Sequence, residues 1–326
     1  MKVLVTGGAG YIGSITVKKF QEQGTEVVVF DNLSKGHNEA IDCPLVVGDL
    51  QNREEISKAL AGAGFEAVMH FAASTMVDES VKDPKKHFNN NVCTTFNLLD
   101  AMLEHNVKKF IYSSSSEVYG EAERLPLLEE MTLKPLNPYG LSKAMIEWSL
   151  PWYDSGYGLK FIALRYFNAA GAMLDGSMGE DHRPEMHLIP TAIRSALGLC
   201  DFKLTCAKMD TPDGTTIRDY THVLDLASAH ILALEALAQG HQSDIFNVGV
   251  GKGYSTLEVV KKVQEITGVE FSVGKGEPRK GEPAAKYCSN EKLRRELGWE
   301  PKYGLEEMIE SAYLWHKSHP EGYETK

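Results

Sequence analysis

The stretch TGGAGYIGS, residues 6–14, constrains the fold of this chain more than any other feature. It spaces Gly7, Gly10 and Gly13 as G-x-x-G-x-x-G, after a short apolar run and at the start of a helical pattern. Glycines at this spacing permit a tight turn and close approach of the backbone to a pyrophosphate, which the free N–H groups of a helix N-terminus attract. The stretch therefore predicts a strand–turn–helix unit that binds a dinucleotide.

Strand and helix patterns alternate through the first half of the chain. The strand patterns are nearly continuous apolar runs, as expected when helices cover both faces of a parallel sheet. This alternation predicts an α/β fold with a doubly wound parallel, Rossmann-type sheet. The predicted strands are Lys2–Thr6, Glu26–Phe30, Pro44–Asp49, Ala67–Ala72, Lys109–Ser113 and Lys160–Phe167. The predicted helices between them are Tyr11–Gln23, Glu54–Leu60, Pro84–Glu104 and Tyr139–Tyr153.

After about Phe167 the alternation becomes irregular, although helical patterns return and a capping box opens one of them at Ser255. We expect a smaller mixed α/β C-terminal lobe that binds the substrate, with a cleft between the two lobes. The cofactor domain would span residues 1–167 with a contribution from 218–250, and the substrate lobe would comprise 168–217 and 251–326. The later helical patterns are Leu188–Leu197, Val223–Ala238 and Leu305–Lys317.

Composition excludes several classes of partner. A net charge of −11 without a basic stripe argues against nucleic-acid binding. No apolar run approaches membrane-spanning length, and the start of the chain lacks a signal-peptide core, so we expect a cytoplasmic location. The five cysteines are scattered and contain no Cys-x-x-Cys, which indicates free thiols in a reducing compartment.

Polar residues follow the predicted strands where a doubly wound sheet binds its ligand. Asp31 ends the second strand, where a carboxylate accepts hydrogen bonds from the adenosine ribose and repels a 2′-phosphate, so the cofactor is predicted to be NAD rather than NADP. Asp49 follows the third strand and could bond the adenine amine, cap a helix, or do both. The segment Phe71–Ala73 follows the fourth strand at the same rim.

The pair Tyr139 and Lys143 predicts the chemistry. These residues lie four apart at the start of a predicted helix and therefore share a face. A free tyrosine is a poor base at neutral pH, but a nearby ammonium and the positive nicotinamide of NAD⁺ would favour its phenolate. Tyr139 would then remove a proton from a sugar or alcohol hydroxyl, and Ser115 would hydrogen-bond that hydroxyl.

These motifs resemble those of extended short-chain dehydrogenase/reductases and, within them, of the UDP-glucose/UDP-galactose 4-epimerases. The resemblance covers essentially the whole chain. It rests on VTGGAGYIGS, DNLS, GDL, HFAA, NNNV, YSSSSEVYG, NPYGLSK, LRYFNAAGA, GEDHRPEMHLIP, DGTTIRDYTHV and WHKSHPEGY. It implies epimerisation of a nucleotide sugar, most often a UDP-hexose: the sugar is oxidised at C4 to a 4-keto intermediate, and hydride then returns to its opposite face. It also implies a homodimer formed through the helices Pro84–Glu104 and Tyr139–Tyr153.

The resemblance implies the following site residues. The catalytic residues are Ser115, Tyr139 and Lys143. The cofactor-binding residues are Gly7, Gly10, Tyr11, Ile12, Gly13, Asp31, Asn32, Ser34, Asp49, Leu50, Phe71, Ala72, Ala73, Asn90, Ser113, Tyr139, Lys143 and Tyr166. The substrate-binding residues are Ser115, Glu117, Tyr139, Asn168, His187, Leu188, Arg218, Arg279 and Glu282, with the two arginines on the diphosphate because their planar forks pair with phosphate oxygens.

Departures from the family pattern fall mainly on the substrate side. Glu117 stands where epimerases often carry Thr, and Lys286 aligns where relatives often carry Tyr, Cys, Ser or Leu. If the segment after Ser115 is extended, Glu117 points to the same side as Ser115. Glu117 would then either tune sugar choice or serve as the acid of a nucleotide-sugar decarboxylase or dehydratase, which is the main alternative. A catalytically silent NAD-binding regulator is the second alternative.

The segment DHRPEMH raises the question of a metal site. It offers Asp181, His182, Glu185 and His187. Their spacing matches no standard site and the epimerase mechanism needs no metal, so we expect none.

Overall fold

The alternation of strands and helices produces a seven-stranded sheet with helices on both faces. The computed structural model describes residues 1–121, 123–205, 208–277 and 282–323. The strands are β1 Lys2–Thr6, β2 Glu26–Asp31, β3 Leu45–Val47, β4 Ala67–His70, β5 Lys109–Ser115, β6 Lys160–Tyr166, β7 Asn168–Ala170, β8 Phe202–Leu204, β9 Ile217–His222, β10 Asp244–Val248, β11 Gly253–Ser255, β12 Val273–Lys275 and β13 Ala285–Lys286. The helices are α1 Tyr11–Glu22, α2 Arg53–Leu60, α3 Val77–Lys82, α4 Pro84–Phe88, α5 Thr94–Glu104, α6 Pro138–Tyr157, α7 Leu188–Ala196, α8 Val223–Ala238, α9 Thr256–Thr267, α10 Glu291–Leu297 and α11 Leu305–Ser318.

The large sheet confirms the predicted fold class. Its strand order is β10-β6-β5-β4-β1-β2-β3, and all neighbouring strands are parallel. One apolar cluster packs α1 and α8 against one face, and a second packs α2, α5 and α6 against the other. Burial on both faces explains why the strands appear in the sequence as apolar runs rather than as alternating patterns.

A smaller mixed α/β layer covers the carboxyl ends of the large sheet. Strand β9 pairs with β7 and β13 in parallel and with β11 antiparallel. Helices α7, α9 and α11 contribute to its apolar cluster, and the expected capping box begins α9 at Ser255. Within residues 218–250, α8 and β10 join the large layer whereas β9 lies in the small one. The division into cofactor and substrate lobes stays a prediction.

The predicted helix Pro84–Glu104 is interrupted. A π-helical turn, Asn89–Cys93, separates α4 from α5. The hydroxyls of Thr94 and Thr95, at the start of α5, donate to carbonyl oxygens within this turn, those of Asn90 and Asn91, at 2.5 and 2.6 Å. Side-chain bonds to these carbonyls compete with the regular helical ladder, and π-turns occur frequently at functional sites.

Two general properties follow from the described ranges. In them, no helix is both long enough and apolar enough to span a membrane. Cys43, Cys93, Cys200 and Cys288 are free thiols, whereas Cys206 lies outside the described residues.

A buried ion pair joins α6 to the large sheet. Glu147 of α6 and Arg165 of β6 are both almost inaccessible to solvent, and their nearest nitrogen and oxygen lie 2.5 Å apart. Glu147 also accepts a hydrogen bond from Ser114 of β5, and Arg165 donates to the Tyr119 hydroxyl at 2.8 Å. The pair therefore links one helix to two neighbouring strands.

Replacing Glu147 by Leu should destabilise the fold by about 3–5 kcal/mol, because Arg165 would keep an unpaired buried charge. The double variant Glu147→Leu/Arg165→Met should recover most of that loss, since both charges are then gone. Urea denaturation followed by circular dichroism measures both. Lys18→Ala, which removes an exposed ion pair with Asp42, is the matched control. A loss for Glu147→Leu no larger than that of the control would contradict this role.

Candidate active site

A cleft of about 1020 Å³ runs along the carboxyl ends of the large sheet. Its wall includes the residues that end or follow six successive strands, from β1 to β6, together with parts of the small layer. Nearly all residues that the sequence analysis singled out line this one cleft. The lining residues among them are Gly7, Gly10, Tyr11, Ile12, Gly13, Asp31, Asn32, Ser34, Asp49, Leu50, Phe71, Ala72, Ala73, Asn90, Ser115, Glu117, Tyr139, Lys143, Tyr166, Asn168, His187, Arg218 and Glu282.

The glycine loop has the geometry of an anion cradle. Gly7 has a φ of +71°, and a Cβ there would lie 2.4 Å from the backbone nitrogen of Ala72. A Cβ on Gly13 would lie 2.3 Å from the carbonyl oxygen of Gly7. Gly10 is the N-cap of α1 and provides no side-chain acceptor for its first N–H groups. Those N–H groups and the helix dipole thus remain free to attract a phosphate.

Asp31 is fixed by the backbone beside this loop. Its carboxylate accepts from the backbone nitrogens of Ala9, at 3.0 Å, and Leu33, at 2.8 Å. Burial raises the pKa of Asp31, and these two hydrogen bonds oppose the rise. A carboxylate held in this way presents its remaining acceptor positions to the cleft.

Asp49 follows β3, which is the parallel neighbour of the strand that Asp31 ends, β2. It accepts from the side chain of Asn32 at 3.1 Å and from the backbone nitrogen of Gln51 at 2.8 Å. The helix-cap interpretation of Asp49 is wrong, because Asn52 is the N-cap of α2 and accepts from the backbone nitrogen of Glu54. The Asp49 carboxylate is therefore anchored in the loop before α2, on the wall of the cleft.

Ser115, Tyr139 and Lys143 come together on the wall of the cleft. Ser115 ends β5, and Tyr139 and Lys143 lie in the first turns of α6. The Lys143 ammonium donates to the carbonyl oxygen of Ser113 at 2.8 Å. Ser113 itself is buried outside the cleft lining, so it reaches the site through its backbone rather than its side chain.

The pKa values of Tyr139 and Lys143 differ from the expectation that the Lys143 ammonium favours the Tyr139 phenolate. Burial raises the pKa of Tyr139 to about 12, and a hydrogen bond between Tyr139 and Ser115 opposes the rise. Burial lowers the pKa of Lys143 to about 7, and the negative charge of Glu147 opposes that fall. The Lys143 nitrogen lies 6.0 Å from the Tyr139 ring centre. In the protein alone, Lys143 therefore does not bring the phenol into the range of a base at neutral pH.

Glu117 lines the cleft but is not on an extended segment. Residues Ser116–Val118 form a 3₁₀ turn, in which the Ser115 hydroxyl accepts from the Glu117 backbone nitrogen at 3.2 Å. The Glu117 carboxylate forms an ion pair with Lys286 at 2.5 Å and accepts from the Asn137 side chain at 2.8 Å. Burial favours a higher pKa for Glu117, but the ion pair and this hydrogen bond outweigh it and hold the pKa below its ordinary value.

A second ion pair lies beside the first. Arg218 donates to the Glu282 carboxylate at 2.9 Å. Arg218 of β9 and Lys286 of β13 are direct partners across the parallel ladder. Like charges in such positions repel each other, and each of these cations has its own carboxylate partner, Glu282 or Glu117. The substrate side of the cleft therefore contains two neighbouring, internally neutralised cations.

The remaining predicted substrate residues differ in their placement. Asn168 lines the cleft and donates to the carbonyl oxygen of Asp219 at 2.9 Å. His187 lines the cleft at the N-cap of α7. Leu188, the first residue of α7, lies outside the lining and packs on the apolar cluster of the small layer. Arg279 lies outside the described residues.

Sequence reasoning missed two residues that position this site, Glu147 and Arg165. The available signal was that Glu147 lies four residues after Lys143 and so extends the same face of α6. Its partner Arg165 directly follows the apolar run 161–164 of β6. A charged residue inside such a buried strand requires a partner.

Comparison with known proteins agrees with this geometry. Residues 3–249 match the model of the NAD dependent epimerase/dehydratase family. A UDP-glucose 4-epimerase of Lactobacillus helveticus is 46% identical over 330 residues, covering 100% of both chains. The crystal structure of UDP-glucose 4-epimerase from Brucella ovis in complex with NAD is 42% identical with a TM-score of 0.93, covering 96% of this chain and 97% of that one.

A third relative extends the likeness to a nucleotide complex. UDP-glucose 4-epimerase from Bifidobacterium longum, in complex with NAD⁺ and UDP, is 33% identical with a TM-score of 0.95, covering 99% of this chain and 100% of that one. These likenesses extend through the small layer as well as the large sheet. The chain belongs to the NAD dependent epimerase/dehydratase family and, within it, to the UDP-glucose 4-epimerases.

Proposed function

We propose that this chain is an NAD-dependent isomerase that interconverts UDP-glucose and UDP-galactose by inverting the sugar at C4. The observation that carries the proposal is that Ser115, Tyr139 and Lys143 line the same cleft as the glycine cradle and Asp31. A proton acceptor and a dinucleotide site thus face one space. Full-length likeness to UDP-glucose 4-epimerases identifies the reaction class.

The cofactor half of the cleft suits NAD. The cradle around Gly7 and the free N–H groups at the start of α1 would hold the pyrophosphate. Asp31 would accept hydrogen bonds from the adenosine ribose, and its buried carboxylate disfavours a 2′-phosphate. When bound, NAD⁺ supplies a hydride acceptor and a positive charge in the cleft. Residues 1–167, with part of 218–250, would form this domain.

Tyr139 would remove the proton of the sugar O4 hydroxyl and return it to the product. Because burial raises its pKa to about 12, the phenol stays protonated until positive charge enters the cleft. Lys143 has a pKa of about 7, so it exchanges its proton readily near neutral pH. Ser115 would orient the phenol and the sugar hydroxyl. Tyr139 would therefore act as a base only after NAD⁺ has brought its positive charge into the cleft.

The substrate half would hold the nucleotide through groups on residues 168–217 and 251–326, together with Arg218. Arg218, and Arg279 by family resemblance, would contact the diphosphate, with Asn168, His187 and Leu188 close to the nucleoside and diphosphate. Glu282 now partners Arg218, so a diphosphate would share or replace that contact. Two arginines would also supply local positive charge, which allows a chain with a net charge of −11 to bind an anionic substrate.

Elimination or decarboxylation through Glu117 is disfavoured. Such a reaction needs the carboxyl group protonated at one step, whereas the ion pair with Lys286 keeps it ionised. A catalytically silent NAD-binding protein would have no need for Ser115, Tyr139 and Lys143 in this arrangement.

Tyr139→Phe should reduce turnover of UDP-galactose by about 10²–10⁴-fold while leaving bound NAD in place, because the ring still packs but the proton acceptor is lost. Turnover is followed by chromatography of the sugar nucleotides. Bound NAD is measured in the supernatant of denatured protein.

Tyr153→Phe is the matched control for this experiment. Tyr153 lies on the same helix, outside the cleft lining, and its hydroxyl donates to Asp100 at 3.4 Å. It should retain near-wild-type turnover. Near-normal turnover of Tyr139→Phe would remove the proposed mechanism.

The wild-type product should be an isomer with unchanged mass, and the double variant Glu117→Thr/Lys286→Leu should still invert C4. In this variant the ion pair is removed as a unit, so no unpaired cation is left beside Arg218. Glu117→Thr alone should be less stable, because Lys286 keeps a buried charge. Mass spectrometry of the products decides: loss of CO₂ or water that is abolished by Glu117→Gln would establish the alternative reaction.

A homodimer is also part of the proposal. Trp148 and Trp152 lie four residues apart on α6 and are 51% and 76% exposed. Large exposed apolar side chains on one helix face indicate an interaction surface. Trp152→Glu should shift the protein towards the monomer in sedimentation equilibrium, and a wild-type monomer at micromolar concentration would contradict the dimer. The same proposal places the chain in the cytoplasm, where thiols such as Cys43 stay reduced.

A further inference from the structure

Four side chains that suit a metal ion converge at the wall of the cleft, and three of them, Glu180, His182 and His187, line it. Glu180, His182, Glu185 and His187 each offer one ligand atom, and these atoms all lie within 4.8 Å of one another. The proposed epimerase chemistry gives none of the four a role in proton or hydride transfer, and only His187 a role in holding the substrate. The segment DHRPEMH contains Asp181 but not Glu180, and its spacing alone matches no standard metal site.

The structure shows why Glu180 and not Asp181 belongs to this group. Asp181 points away: its carboxylate accepts from the backbone nitrogen of Tyr323 at 3.0 Å and pairs with Arg183 at 3.2 Å. Glu180 is buried, and its carbonyl oxygen accepts from the Trp315 indole at 3.0 Å. Its carboxylate is thereby directed towards the two histidines.

The ligand atoms have a suitable arrangement. The Nδ1 atoms of His182 and His187 lie 2.9 and 2.6 Å from the same carboxylate oxygen of Glu180. The second carboxylate, that of Glu185, lies 3.2 Å from His187 and 3.9 Å from His182. In a tetrahedral site with bonds of about 2.0–2.2 Å, neighbouring ligand atoms lie about 3.3 Å apart. These four separations bracket this value, and no two of the ligand atoms lie more than 4.8 Å apart. Side-chain rotations that replace the contacts of the two histidines with Glu180 by metal bonds would complete the site.

Glu185 is held in place by its own backbone. One of its carboxylate oxygens accepts from the backbone nitrogens of Met186 and His187, both at 2.8 Å. The other oxygen is the one that lies 3.9 Å from His182. Carboxylate ligands in metal sites are commonly oriented by such outer hydrogen bonds.

We propose that Glu180, His182, Glu185 and His187 bind one divalent transition-metal ion, with Zn²⁺ the best match. Two imidazole nitrogens and two carboxylate oxygens are ligands that Zn²⁺ accepts, and the two carboxylates neutralise its charge. The ion would hold the loop of residues 180–186 against His187, the N-cap of α7. His182 also packs edge-on against Tyr11, with ring centres 6.5 Å apart, so the clamp lies next to the cofactor loop.

The test is direct metal binding by the full chain, with any affinity tag removed. After treatment with EDTA and dialysis, the protein is titrated with ZnCl₂ by calorimetry and with CoCl₂ by visible absorption, and bound metal is counted by mass spectrometry. We expect one ion per chain and the visible bands of four-coordinate Co²⁺. Glu180→Gln and the double variant His182→Gln/His187→Gln should bind more than about 100-fold more weakly, since even loss of an outer-shell partner costs 10–100-fold.

His241→Gln is the matched control, because His241 also faces a carboxylate, that of Glu296 at 4.0 Å, but in a different part of the chain. It should bind the ion as tightly as wild type. Circular dichroism checks that each variant is folded, and the wild-type titration decides even if a variant is not. Absence of stoichiometric binding in wild type, or equal binding by the cluster variants and the control, would overturn the proposal. Neither result would test the proposed epimerase activity, because the experiment measures bound metal and not turnover.

Discussion

The buried ion pair between Glu147 and Arg165 fixes the position of the catalytic helix, and the rest of the site depends on that position. Glu147 lies one helical turn after Lys143 and accepts hydrogen bonds from both β5 and β6. Tyr139, one turn before Lys143, is thereby held against the end of β5, where Ser115 lies. A pair buried this deeply offers little net stability compared with apolar packing. Its role here is to join one face of α6 to both β5 and β6, which fixes the position of the helix along these strands.

The same burial sets the acid–base character of the site. It moves the pKa of Tyr139 up to about 12 and that of Lys143 down to about 7, because a low-dielectric environment disfavours the charged form of each. Before ligands bind, the phenol is therefore neutral at neutral pH, whereas the amine lies close to its midpoint of protonation. Each charge that arrives with a ligand therefore has a large effect on proton transfer.

The sequence predicted those parts of the structure that depend on local patterns. Strands buried on both faces appear as apolar runs, and β1 and α8 have the predicted bounds. The glycine cradle is predictable because its backbone geometry restricts the residue types allowed, and Asp31 because it ends the second strand of a dinucleotide-binding unit. The features that the sequence did not predict have two causes: side chains that compete for backbone hydrogen bonds, and partners that are distant in the chain. The threonine bonds of the π-turn, the 3₁₀ turn at Glu117 and the choice of Glu180 over Asp181 all depend on such contacts, which a one-dimensional pattern does not contain.

Glu117 and Lys286, which depart separately from the family pattern, are explained by each other. Lys286 is opposite Arg218 across the β9–β13 ladder. A buried Lys286 beside the partly buried Arg218 would be repelled by it and would also lack solvation. Glu282 neutralises Arg218, and Glu117 reaches from another part of the chain, 169 residues away, to neutralise Lys286. A carboxylate with that task is held ionised and already bonded, which makes it a poor proton donor. Its presence next to Ser115 is thus better explained by the charge of Lys286 than by a second chemical step.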